Sequence, residues 1–113
     1  MANSNAVLAA STVSLGFKLQ LDAVWQRNLP LIRDRLTRLD AFVSALRRGK
    51  ASPQDHEAAL DIAHKFSGSL GIFGYPAGSQ IARALETLLE ANPIPDPNHV
   101  REFVQGIRAT LNL

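Results

Sequence analysis

Apolar residues recur at helical spacing along most of the chain from Phe17 onward. Between residues 32 and 46 the apolar positions alternate steps of four and three, which is typical of the buried face of a helix in a bundle. Pro30 stands near the beginning of this pattern, so the helix either starts there or runs from about Leu21 with a kink at the proline. Gly49 predicts its end. The apolar positions of this helix are Ile32, Leu36, Leu39, Val43 and Leu46.

A second helix has a well-defined start. Ser52 can cap it, Pro53 suits the first helical position, and Asp55 places a carboxylate in the first turn. We predict that this helix runs to Phe73, with Gly74 as its stop signal.

After a turn at residues 75–76, a third helix is predicted from about Ala77 to Ala91, followed by a loop over Asn92–Pro97. Asp96 is expected to cap a last helix that begins at Pro97. The inner faces of these two helices are predicted to carry Ile81, Leu85, Leu88, Val100, Phe103, Val104, Ile107 and Leu111.

The residues before the first predicted helix are mostly small and polar, and their apolar positions show no helical periodicity. We therefore predict a loose N-terminal leader over residues 1–16 and a helical domain over residues 17–113. Strand patterning is absent from the sequence, and four helices with short connections favour an all-α, antiparallel four-helix bundle. An extra short or kinked N-terminal helix is the open alternative.

The composition narrows the class of protein. With 113 residues and 46% apolar residues, the chain is long enough for one globular domain. It has no cysteine, so thiol catalysis and metal–thiolate sites are excluded. No apolar run is long enough for a membrane span and no secretory signal is visible, so a cytoplasmic protein is expected.

The charge is unevenly distributed along the chain. Residues 1–50 carry eight Lys/Arg against three Asp, whereas residues 51–113 carry four Lys/Arg against seven carboxylates. The basic half could attract an acidic partner, although a solvated helix face is the simpler interpretation. Nucleic-acid binding is disfavoured, because no aromatic residues are interleaved with the basic ones.

The second helix contains an anomaly around His64. Gly68 and Gly71 interrupt it, although each glycine costs about 1 kcal/mol relative to alanine inside a helix. At about 100° per residue, His64, Gly68 and Gly71 lie about 140°, 180° and 120° from the centre of the core face. The pattern therefore predicts an exposed imidazole with no side chain on the next turn to shield it.

Other interpretations of these residues are weaker. Helix glycines often allow close helix packing, but such glycines face inward. A metal site is disfavoured because no second histidine stands three or four residues from His64. His56 and His99 are interpreted as ordinary surface residues.

The run His64-Lys65-Phe66-Ser67-Gly68-Ser69-Leu70-Gly71-Ile72-Phe73-Gly74 resembles the histidine-containing phosphotransfer (HPt) domain of multistep two-component signalling. That family has a histidine, a glycine four residues later and alanine or serine next, here Ser69. The resemblance implies a monomeric phosphocarrier without kinase activity or a cofactor of its own. It implies receiver domains, which carry the Mg²⁺, and a hybrid sensor histidine kinase as partners.

The resemblance also implies roles for single residues. His64 would be the phosphoacceptor, with Gly68 and Gly71 giving the partner clearance. Ser67 stands where the family often has lysine, and Lys65 could contact the phosphoryl group instead. Glu86 stands where the family often has glutamine, and it either orients the imidazole or is a solvated helix residue.

Two further questions stay open at this stage. Ile72 is either an exposed apolar contact for the partner or packs at the helix end. The whole surface could also serve a helical interaction or dimerisation module that is never phosphorylated.

Overall fold

The computed structural model describes the backbone of residues 3–113 and the side chains of residues 14–113. It contains four helices, α1 (Asn3–Arg47), α2 (Pro53–Ser69), α3 (Pro76–Ala91) and α4 (Pro97–Leu111), and no strand over the described range. The predicted all-α fold class is therefore confirmed. By its contacts the chain divides into two compact units, Met1–Pro30 and Leu31–Leu113.

The helices of the second unit form a four-helix bundle. Asp40 pairs with Arg108, and Arg47 bonds Asn98 at 3.1 Å, so the end of α1 lies against the start of α4 and the two run antiparallel. Helix α3 packs against both α2 and α4. On the remaining side, the ring of Phe42 on α1 meets the ring of His56 on α2 edge to face, with centroids 6.2 Å apart.

The core of this unit contains most of the apolar positions that the periodicity predicts. Four predicted positions, Leu46, Ile81, Leu88 and Phe103, are only half-buried. In α3 the buried face consists of Gly78, Ala82, Leu85 and Leu89, so Leu89 takes the core position predicted for Leu88. The largest fully buried side chains are Phe66, Leu36, Leu39, Leu70, Leu85, Leu89, Ile107, Val100 and Val104.

Side chains cap two of the helices as the sequence predicts. The Ser52 hydroxyl accepts from the Asp55 backbone N–H at 3.0 Å, and the Asp55 carboxylate accepts from the Ser52 N–H at 2.9 Å, a complete capping box. Asp96 accepts from the Asn98 N–H at 2.9 Å at the start of α4. These bonds fix where α2 and α4 begin.

The prediction for the start of the first helix was wrong. Helix α1 begins at Asn3, inside the segment predicted as a loose leader, and it continues through Pro30. Apolar periodicity reports burial of one face, and Leu15, Phe17 and Leu19 are all exposed. Residues 3–15 contain no glycine or proline to stop a helix. The segment can therefore be helical even though its sequence lacks the apolar periodicity of a buried helix face. The division into a leader and a domain stays a prediction.

The predicted end of the second helix was also wrong. Helix α2 ends at Ser69, and residues 70–74 form turns in which the Ile72 N–H bonds the Ser69 carbonyl and the Gly74 N–H bonds the Gly71 carbonyl. Gly74 has a φ of +94°, which glycine adopts without strain. Gly71 therefore lies beyond the helix, while Gly68 lies within its last turn.

Candidate functional site

The imidazole of His64 projects from the outer face of α2. Its side chain is 72% exposed, as the helical wheel predicts. One turn later, a Cβ added at Gly68 would meet nothing within 4 Å. The flank of the ring is therefore open to an approaching molecule.

The glycines near the imidazole are not needed for helix packing. A Cβ at Gly71 would lie 3.7 Å from Ser79 Cβ, an ordinary contact, and one at Gly68 would have open space. Gly78 on α3 is different, since a Cβ there would lie 2.7 Å from Thr110 Oγ1. Close packing thus explains Gly78 and does not explain Gly68.

Glu86 on α3 contacts the imidazole. Its Oε2 lies 2.5 Å from His64 Nδ1, and its side chain is 17% exposed. Because a carboxylate can only accept, Nδ1 carries the hydrogen and donates it. In the neutral ring, Nε2 then has a free lone pair on the exposed side. Of the two interpretations of Glu86, the geometry is that of a residue that orients the imidazole.

Ser67 connects the helix backbone to the same carboxylate. This residue is buried, and its hydroxyl lies 2.8 Å from the His64 carbonyl oxygen and 3.4 Å from Glu86 Oε1. From α3, the Ser79 hydroxyl donates to the Ser67 carbonyl oxygen. These contacts fix α2 against α3 at the level of the imidazole. Ser79 was missed by the sequence analysis, because a lone serine in a helix gives no signal until the helix pairing is known.

Lys65 is directed away from His64. Its ammonium pairs with Asp61 at 2.8 Å, one turn back on α2. The hydrogen bond from Lys65, and then the positive charges of Lys65 and Arg35, lower the pKa of Asp61. The structure does not bring the Lys65 ammonium to the imidazole, and the predicted phosphoryl contact stays a prediction.

Two more residues of the motif lie on the surface nearby. The Ser69 hydroxyl donates to the Lys65 carbonyl oxygen at 2.8 Å, so it is bonded within its own helix. Ile72 is 67% exposed in the turn after α2, so it does not pack into the core. This exposure agrees with the interpretation of Ile72 as an apolar contact for a partner.

Among the residues that the structure describes, no group of three or more histidine and carboxylate side chains could hold a metal ion. None of the described helices combines the length and the hydropathy needed to cross a bilayer.

An exposed histidine, held by a neighbouring helix in a four-helix bundle, is the arrangement of a phosphotransfer domain. The Hpt domain family matches residues 23–112, most of the chain, and the protein belongs to that family of two-component phosphotransfer modules. The chain is similar to Protein RcaC of Microchaete diplosiphon, with 35% identity over 79 residues. That alignment covers 70% of this chain and 12% of RcaC. No solved structure gives a significant match to the chain.

Proposed function

We propose that His64 carries a phosphoryl group between the aspartates of two receiver domains. The observation that supports this proposal most directly is the 2.5 Å contact between Nδ1 and Glu86, which leaves Nε2 as the exposed nucleophile. The open space at Gly68 gives a second protein room to bring an aspartyl phosphate to that nitrogen.

The proposed transfer conserves atoms and charge. The Nε2 lone pair attacks phosphorus, the bond between phosphorus and the aspartyl oxygen breaks, and the aspartate leaves with the bonding electrons. The ring then carries the phosphoryl group on Nε2 and a hydrogen on Nδ1. The second receiver reverses these steps with its own aspartate as the nucleophile.

Glu86 has a defined part in this exchange. Phosphorylation of Nε2 makes the ring cationic as long as Nδ1 keeps its hydrogen, and the adjacent carboxylate stabilises that cation. A protonated ring is the better leaving group, so Glu86 keeps the phosphoryl group transferable. The Mg²⁺ that neutralises the phosphoryl oxygens is expected to belong to the receiver, and a hybrid sensor kinase is the expected source of the phosphoryl group.

The proposal can be tested with receiver domains that carry radiolabelled phosphate. We expect acid-labile, alkali-stable label on the chain, which is typical of phosphohistidine. His64→Gln should abolish the label. His99→Gln is the matched control, because His99 is an exposed histidine stacked on Phe103 in α4 and should remain dispensable.

The alternative, a binding module that is never phosphorylated, predicts a different result. Receivers would then bind the chain without transferring label, and His64→Gln would leave the wild-type result unchanged. Label that survives in His64→Gln would place the acceptor elsewhere and would also contradict the proposal.

A further inference from the structure

The proposed phosphohistidine raises a question of charge. A phosphoryl group on Nε2 would bring two negative charges to a ring that already contacts the Glu86 carboxylate. Catalysis of phosphoryl transfer consists largely of positioning and of neutralising this charge. A cation near His64, on the chain itself, would serve both purposes.

The nearest cation in sequence is already engaged. Lys65 pairs with Asp61 at 2.8 Å, and Arg35 acts on the same carboxylate by its charge. Lys65 points about 100° away from His64 around the helix axis. These basic groups therefore belong to the α1 side of α2.

On the α3 side, Arg83 lies in the sequence between Ser79 and Glu86, two residues that contact α2. It follows Ser79 by four positions and precedes Glu86 by three, about 40° and 60° around the axis of α3. Ser79 bonds the Ser67 carbonyl and Glu86 bonds the His64 ring, so this edge of α3 faces the site. Side chains three or four positions apart on a helix are about 5–6 Å apart at Cβ, within the reach of an arginine.

The Arg83 side chain is also available. It is exposed, and among the described residues it forms no ion pair or side-chain hydrogen bond. Glu86, its neighbour, is occupied by the His64 ring through Oε2, and its Oε1 faces the Ser67 hydroxyl. On α2, Gly68 has no side chain to obstruct the turn after His64, and a Cβ there would meet nothing within 4 Å.

We propose that Arg83 binds the phosphoryl oxygens when the group resides on Nε2 of His64. This inference rests on the proposed function and adds to it a contact residue from the second helix of the site. The guanidinium offers several N–H donors in one plane and suits phosphoryl oxygens better than a point charge. It also offsets the repulsion between the phosphoryl group and Glu86.

The test uses the full chain and two phosphodonors, a phosphorylated receiver and the small molecule phosphoramidate. Arg83→Ala should slow labelling of His64 about tenfold with both donors, because the contact is with the phosphoryl group itself. Arg83→Lys should restore part of the rate. Arg101→Ala, an exposed arginine of α4, is the matched control and should label like wild type.

A second readout separates phosphoryl contact from a structural role. Titration of the phosphohistidine followed by ³¹P NMR should show a higher phosphoryl pKa in Arg83→Ala than in wild type, since a nearby cation favours the dianion. An unchanged titration together with unchanged phosphoramidate labelling would overturn the proposal.

The remaining outcomes are also decisive. A loss of rate with the receiver alone would mean that Arg83 contacts the receiver protein, and would refute phosphoryl binding. If neither donor labels wild-type His64, the proposed function fails and this inference falls with it. If wild-type His64 is labelled and Arg83→Ala is labelled at the same rate, the role of Arg83 is refuted while the proposed function stands.

Discussion

At the scale of single residues, the hydrogen bond between His64 and Glu86 decides which ring nitrogen is free. The Glu86 carboxylate contacts Nδ1, and its side chain is 17% exposed, while the imidazole side chain is 72% exposed. One nitrogen is therefore held from the protein side and the other faces outward. The Ser67 hydroxyl lies between the Glu86 carboxylate and the backbone carbonyl oxygen of His64, at 3.4 and 2.8 Å.

Glu86→Gln and Glu86→Ala should separate two effects of the Glu86 carboxylate, which accepts the hydrogen of Nδ1 and stabilises a cationic ring. The glutamine can still accept from Nδ1 but no longer stabilises a cationic ring, a difference of about 1 kcal/mol between charged and neutral hydrogen bonds. Phosphohistidine should then survive about fivefold longer. The decay of the label measures this lifetime.

The Glu86→Ala variant has no side-chain group that can accept the hydrogen bond from Nδ1. The ¹⁵N shifts of the neutral His64 ring should show one dominant tautomer in wild type and in Glu86→Gln, and a mixture in Glu86→Ala. A single tautomer in all three proteins would show that Glu86 does not orient the ring.

Asp61 gives a prediction for the dependence of stability on pH. Its native pKa lies below the ordinary value of 3.8, first because of the hydrogen bond from Lys65. Because the pKa of this carboxyl is lower in the folded than in the unfolded protein, its ionised form stabilises the fold at pH values above the unfolded-state pKa. This contribution disappears as the pH falls through the folded-state pKa. Asp61→Asn should therefore be less stable than wild type at neutral pH and equal to it at strongly acidic pH.

Urea unfolding of both proteins across the acid range tests this expectation. The effect should be small, because the pair is exposed and screened by salt. A stability difference that grows as the pH falls would contradict the assignment.

At the scale of elements, the pairing of α2 with α3 carries the site. Two glycines on these helices have opposite roles. Gly68 faces open space, whereas Gly78 is buried and lets α3 approach Thr110 and Leu70. The first lies at an open surface, and the second leaves room for a neighbouring helix.

Alanine at each of these glycines should change stability in opposite directions. Gly68→Ala should stabilise the fold by about 0.5 kcal/mol, because alanine favours the helix and meets no neighbour. Gly78→Ala should destabilise it by about 1–3 kcal/mol, because the new Cβ would lie 2.7 Å from Thr110 Oγ1. Thermal unfolding of the two variants provides the measurement. Equal shifts of the same sign would refute the distinction.

The elements also show what the sequence could predict. The starts of α2 and α4 followed from Ser52 and Asp96, whose capping bonds are local. The end of α2 did not, because the turn bonds around Gly71 replace helical ones without changing the apolar pattern. The exposure of His64 followed from the helical wheel. The contacts of Ser67 with Glu86 and of Ser79 with Ser67 did not, because they depend on the register of α2 against α3, which no local pattern contains.

At the scale of the whole molecule, the family match and the contacts give similar boundaries. The Hpt match begins at residue 23, and the compact unit that contains the bundle begins at Leu31. In the preceding part of α1, Leu15, Phe17 and Leu19 are 58%, 62% and 59% exposed. These side chains bury little apolar surface, so they contribute little to the stability of the described structure.

Deletion of residues 1–22 should therefore leave the bundle folded. We expect helical circular dichroism and a cooperative thermal transition in the shortened chain, within a few degrees of the full chain. Labelling of His64 should also be retained. Loss of the cooperative transition would show that the first part of α1 contributes more stability than its exposure indicates.

The contacts of Glu86 with the imidazole and of the Ser67 and Ser79 hydroxyls with the backbone of α2 all lie within one helical hairpin, residues 64–86. We therefore expect substitutions on the outer surfaces of α1 and α4 to leave the contact between His64 and Glu86 intact. The contact that leaves Nε2 free can therefore persist while the outer surfaces of those two helices change in sequence.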